Sequence, residues 1–89
     1  MSFFEGIPNQ FHDALKSAIE AVNETNEMIR QVKTRFEIEN LAELNQKKGE
    51  SFGGYEINDQ AIEEFDALLT EHESRRQACQ SILDKAANV

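Results

Sequence analysis

The sequence predicts an all-α protein, an antiparallel two-helix hairpin with coiled-coil-like packing that assembles into a four-helix or larger bundle. Three observations carry this. Apolar residues recur at alternating spacings of four and three over two long stretches. A glycine-containing segment separates the stretches. The apolar stripe on each is wider than one pair of helices covers. The whole chain, 1–89, reads as one domain.

Residues 1–8 form an N-terminal segment, in which Ser2 and Glu5 have capping-box spacing and permit a short turn before Gly6. Pro8 suits the entrance to a helix, and Asn9 is the expected cap. The first helix is predicted over 9–48. Its seam runs Phe11, Leu15, Ala18, Val22, Thr25, Ile29, Val32, Phe36, an unbroken a/d alternation. Lys47 and Lys48 fall in its last turn, where cations suit the negative dipole end, and Gly49 supplies a left-handed stop. Segment 49–57 contains Gly53 and Gly54 and is long enough only to reverse the chain. Asn58 caps the second helix, predicted over 58–88, with Ile57 and Ile62 at staple positions and Asp59, Glu63 and Glu64 at the positive dipole end. Its seam runs Ala61, Phe65, Leu68, His72, Arg75, Cys79, Ile82, Ala86, Val89. At ~1.5 Å per residue the arms measure about 60 Å and 45 Å.

The width of the stripe asks for more than one hairpin. Ala14, Ala21 and Met28 add the g positions of the first helix and Ile19 an e position; Ile62, Leu69 and Leu83 add e positions of the second. Three apolar positions in seven belong to bundles. The chain is therefore expected to be a homo-oligomer, with a dimer favoured, or to dock on a larger protein partner.

Three groups stand out as candidate sites. After Phe36 the seam rotates: Glu39 and Glu43 stand where apolar residues are due, and Ile38, Leu41, Ala42 and Leu44 appear instead. Such a shift marks a kink, a cover for the loop residues Phe52, Tyr55 and Ile57, or a partner interface made by Ile38, Leu41, Leu44, Phe52 and Tyr55. The second group is polar where the seam asks for apolar residues: Thr25, His72 and Arg75, with Arg76 beside them. It reads as a register-setting polar layer, as a frayed or partner-facing seam, or as an anion or small-ligand site. The third is the acidic face of Glu56, Asp59, Glu63, Asp66 and Glu73, read as a solubilising surface or as a docking face for a basic partner.

Charge is unevenly spread. Nine Lys and Arg stand against 17 Asp and Glu, a net −8. Residues 1–27 carry −4, 28–48 carry +2, 49–74 carry −8 with no Lys or Arg, and 75–89 carry +2. An antiparallel hairpin sets the +2 blocks opposite the negative ones. The same balance repels phosphate, so no direct nucleic-acid contact is expected. No stretch approaches 18 apolar residues, which argues against a membrane span. The N-terminus lacks a basic n-region, and a lone Cys79 has no disulfide partner, so a cytoplasmic chain is expected, with signal-less secretion left open.

Catalytic and metal patterns are missing. His72-Glu73-Ser74-Arg75-Arg76 begins like a zinc-protease motif but has Arg76 where the second histidine belongs. Neither His12 nor His72 follows a glutamate at the spacing used by di-iron helices. Cys79 stands a heptad from His72, about 10 Å along a helix, too far for a nucleophile–base pair. The expectation is a non-enzymatic chain without cofactor or metal.

The turn Phe52-Gly53-Gly54 resembles the Trp-x-Gly turn of the small secreted helical hairpins of type VII secretion, with Phe in place of Trp. The resemblance implies two antiparallel helices of about this length and export without a cleaved signal. The C-terminal Tyr-x-x-x-Asp/Glu signal of that family is absent, since Phe65 is followed four residues later by Leu69. The residues themselves favour a protein-interaction module, meaning a small acidic adaptor, accessory subunit or stoichiometric inhibitor. The alternatives are the secreted hairpin, a bundle that sequesters a small anionic ligand, and an acidic mimic of DNA that blocks a DNA-binding protein.

Overall fold

The computed structural model describes residues 4–88. A 3-10 turn, Asn9–Phe11, leads into α1, His12–Phe36. A short helix α2, Leu41–Gln46, follows. Two-residue strands β1, Ser51–Phe52, and β2, Tyr55–Glu56, form a hairpin, and α3, Asp59–Ala87, returns along α1. The described residues are mostly helical, and α1 and α3 pack against each other in a body of 52 × 21 × 16 Å.

The largest departure from the sequence reading is the first helix. It does not run from 9 to 48 but stops at Phe36. Glu37 takes the left-handed conformation at φ 54°, and both its N–H and that of Ile38 return to the Lys33 carbonyl. A β-carbon makes this conformation unfavourable. Two compensations hold it. The Lys47 ammonium donates to the carbonyls of Phe36 at 3.1 Å and Glu37 at 2.7 Å, so the cation expected at the end of a long helix closes the end of a shorter one. Ile38, next in the chain, drops into the core. Asn40 then opens α2, its Oδ1 accepting the Glu43 N–H at 2.9 Å, while the Glu43 carboxylate accepts the Glu39 N–H at 3.0 Å. At 25 residues α1 is about 37 Å long rather than 60 Å.

At the N-terminus Asn9 does not cap α1. The residue before the helix is Phe11, and it makes no side-chain cap. The entrance is closed instead by His12, whose Nε2–H donates to the Ile7 carbonyl at 2.7 Å while its ring lies 5.1 Å from that of Phe4. The Ser2–Glu5 pairing involves Ser2, outside the described residues.

The chain reversal holds a strand pair that the spacing alone did not predict. Ser51 pairs with Glu56 and Phe52 with Tyr55 around Gly53-Gly54, whose φ values are 56° and 87°. Two successive positive φ angles match the twist of a two-residue hairpin, and glycine tolerates both. The Asn58 cap is as expected, with Oδ1 accepting the Ala61 N–H at 2.9 Å.

The core lies at this end. Ile29 and Phe36 of α1, Ile38, Leu44 of α2, Ile57 and Phe65 of α3 form one buried cluster. Val32, Leu41, Phe52, Ile62, Leu68 and Leu69 pack around it. Phe52 meets Phe36 edge-on at 6.1 Å, and the Lys47 ammonium lies 5.1 Å from the Phe52 ring centre. One residue therefore caps α1 and pins the β-hairpin over the core.

Candidate functional site

Two of the expected interface residues, Ile38 and Leu44, are 3% and 0% exposed and belong to the core. The rotated stripe after Phe36 is the inner face of α2, folded back over the hairpin. Leu41 and Phe52 are half-buried beside it. Of the five residues in that group, Tyr55 alone is exposed, at 54%.

The polar seam forms a layer across the middle of the hairpin. The buried Thr25 hydroxyl lies 2.7 Å from His72 Nδ1, 3.0 Å from the Val22 carbonyl and 3.3 Å from that of Ala21. A hydroxyl has one proton. When it donates to Val22, it accepts from Nδ1–H; when it donates to Nδ1, the other imidazole tautomer is present. Next to it, Arg75 reaches across to α1. Its Nη1 donates to the Ala21 carbonyl at 2.9 Å and to Glu24 at 3.3 Å, and its Nε donates to Glu71 at 3.0 Å. The hydrogen bond that Arg75 donates to Glu71, seconded by the one to Glu24, raises the Arg75 pKa above its ordinary value. No buried side-chain nitrogen or oxygen among the described residues lacks a partner.

This arrangement has a chemical consequence for the expected anion site. Arg75 directs its Nε and Nη1 donors to a backbone carbonyl and two carboxylates, and Arg76 pairs with Glu73 at 2.9 Å on the exposed face. The cations do not converge on a shared space. Thr25 and His72 bond each other, Arg75 meets the same Ala21 carbonyl that Thr25 faces, and Arg76 stands apart from them.

The residues of the acidic face, Glu56, Asp59, Glu63, Asp66 and Glu73, are all exposed. Of the eight acidic residues in 49–74, three form ion pairs: Asp59 with Lys48 at 2.6 Å, Glu71 with Arg75 and Glu73 with Arg76. Glu50, Glu56, Glu63, Glu64 and Asp66 have no ion-pair partner among the described residues. The surface keeps uncompensated negative charge near the turn.

A groove of about 700 Å³ opens between α1 and α3 at the turn end. Met28, Val32 and Phe36 line it from α1, and Ala61, Phe65 and Leu68 from α3. Tyr55 closes one end under the guanidinium of Arg35, 4.2 Å from the ring centre. Its positions are a, d, g and c of the heptads, so it lies on the g flank. The signal in the sequence was the g-position stripe ending in Met28.

Among the described residues no group of three His, Cys, Asp or Glu side chains could hold a metal ion, and no helix is long and apolar enough to cross a membrane. Set against protein-family models, curated proteins and solved structures, the chain matches none of them.

Proposed function

We propose that this chain is a non-enzymatic protein-interaction module, a small acidic adaptor, accessory subunit or stoichiometric inhibitor that adds its hairpin to the helices of another protein. The observation that carries the proposal is the incomplete seam beyond the polar layer. From Thr25 toward the open end, Leu15 is the one fully buried apolar residue among those described. Ile19, Val22, Cys79, Ile82 and Leu83 remain half-buried along both helices. Heptad faces of this width gain burial from additional helices, at roughly 25 cal/mol per Å² of apolar surface removed from water. Within the seam Thr25 and His72 bond each other and Arg75 bonds Ala21, Glu24 and Glu71, so contact along the open-end seam rests on shape and apolar surface.

Photo-cross-linking in the native cell tests the proposal. A cross-linking side chain at Ile19 or Leu83 should yield one discrete product joining this chain to a different protein. The same side chain at the outward-facing Asp13 should not. A chain that cross-links only to copies of itself would overturn the adaptor reading, and the absence of any product from both seam positions would overturn the open-end seam as its contact surface.

A further inference from the structure

We infer that the open g flank at the turn end is a docking groove for an amphipathic helix from another protein, apolar on one stripe and carrying Lys or Arg along the edge that meets α3. This inference rests on the interaction-module reading and names the partner's chemistry.

The two flanks of the hairpin differ. In an antiparallel pair the e positions of both helices line one flank and the g positions the other. Ile62 and Leu69, at e, are packed against the cluster that contains Leu44 and Ile38, where α2 meets α3. No e position lines the groove, which lies on the opposite flank. One side of the turn end thus has its third helix and the other has a space.

Met28 at 45% and Tyr55 at 54% exposure are the large hydrophobic side chains left exposed among the described residues, and both border this space. Two such side chains beside a floor of Val32, Phe36, Phe65 and Leu68 form a continuous apolar strip, and a thioether adapts to varied partner shapes. The strip spans residues 28–36 on α1 and 61–71 on α3, about 12–15 Å at ~1.5 Å per residue, which suits two to three turns of helix.

Charge selects the occupant. Glu56, Glu64 and Glu71 edge the groove from β2 and α3, against Arg35 alone from α1. Glu56 and Glu64 have no ion-pair partner among the described residues, and Arg35 is already engaged over Tyr55. A basic edge on the incoming helix supplies the missing cations and accelerates association. A second copy of this chain meets the opposite condition. Each copy carries −8, and both halves of the hairpin are net negative, with −6 over residues 28–74 and −2 over the remainder. Self-pairing at this groove would bring like charges together.

The test uses the full chain and two synthetic helical peptides of about 14 residues. Both carry leucine at i, i+3, i+4 and i+7; one is flanked by lysines, the other by glutamates. Fluorescence anisotropy reads affinity at low and high salt, NMR amide shifts read the location, and sedimentation reads oligomeric state. The lysine peptide should bind with shifts centred on Met28, Tyr55 and Leu68, about tenfold or more tighter than the glutamate peptide at low salt, with the gap narrowing at high salt. Met28→Asp and the double variant Glu56→Lys/Glu64→Lys, all at exposed positions, should each weaken it about tenfold while leaving the circular dichroism unchanged. Equal affinity for the two peptides, or shifts confined to the open-end seam, would overturn the groove and leave the interaction-module reading standing. A dimer that Met28→Asp dissociates would overturn it in favour of a second copy. Cross-linking from Ile19 and Leu83 reports separately on the broader reading.

Discussion

At the turn end, six side chains drawn from α1, α2, α3 and the connections between them close into one buried cluster. On the other side of the Thr25–His72 layer the same two long helices continue, and Leu15 is the one apolar residue buried to the same degree among those described. The heptad spacing is equally regular on both sides. Regular spacing sets which residues face the partner helix; it does not decide how far water is excluded. What differs is a third layer. α2 and the β-hairpin fold over the turn end, while among the described residues the open end adds to the two long helices nothing beyond the N-terminal segment and its 3-10 turn. Two helices shelter a line of side chains, and a third is needed to close the sides.

The difference is open to attack from either end. Phe65→Ala should lower stability by about 3–5 kcal/mol, because the side chain is 2% exposed and its loss leaves a cavity in the cluster. Ile82→Ala, in the half-buried seam, should cost about 1 kcal/mol in the isolated chain. Chemical denaturation measures both, and similar losses at the two sites would erase the distinction.

The layer between the halves comes next in size. Thr25→Val removes the partner of His72 Nδ1 and should destabilise by about 1–3 kcal/mol. His72→Leu in the same chain should recover part of that loss, since it removes the orphaned nitrogen. A double-mutant cycle should therefore show coupling on the order of 1 kcal/mol, and additivity would mean the hydrogen bond across the layer contributes nothing.

At the entrance to α3, Asn58→Ala should cost about 1 kcal/mol by releasing the Ala61 N–H, seen as a lower thermal midpoint. The smallest effect belongs to Glu27. Its hydrogen bonds with Arg30 hold its pKa below the ordinary 4.5, and the pair is exposed on one face of α1. A carboxylate with a depressed folded pKa contributes above its unfolded value and loses that contribution as pH falls through the folded one. Glu27→Gln should thus shift the thermal midpoint slightly at neutral pH, with the difference vanishing on acidification below the usual carboxylate range.

Much of the architecture was legible in the residues. The four-three spacing located both long helices, Asn58 announced the start of α3, and Gly53-Gly54 the reversal. The end of α1 at Phe36 was not recovered, although its traces were present. The seam loses its apolar residues at Glu39 and Glu43, and Asn40 stands three residues before Glu43, the spacing of a capping box. Leu41 and Leu44 have helical spacing of their own, so a continued helix and a helix folded back look alike along the chain. Lys47 decides between them by capping α1 from eleven residues beyond Phe36, a contact with no periodic signature. The same fold-back determines which flank is covered, and so Ile38 and Leu44 moved from the expected interface into the core. Thr25, His72 and Arg75 were identifiable because polar residues at seam positions are conspicuous. The Thr25–His72 hydrogen bond and the reach of Arg75 to the Ala21 carbonyl depend on the register between α1 and α3, which spacing within each helix does not specify.

Native-state hydrogen exchange of the isolated full chain measures the contrast directly. Amides in residues 29–36 and 65–69 should exchange only through opening of the whole fold, with protection on the order of 100-fold above that of residues 15–22 and 79–86. Equal protection along the full length of both helices would contradict it.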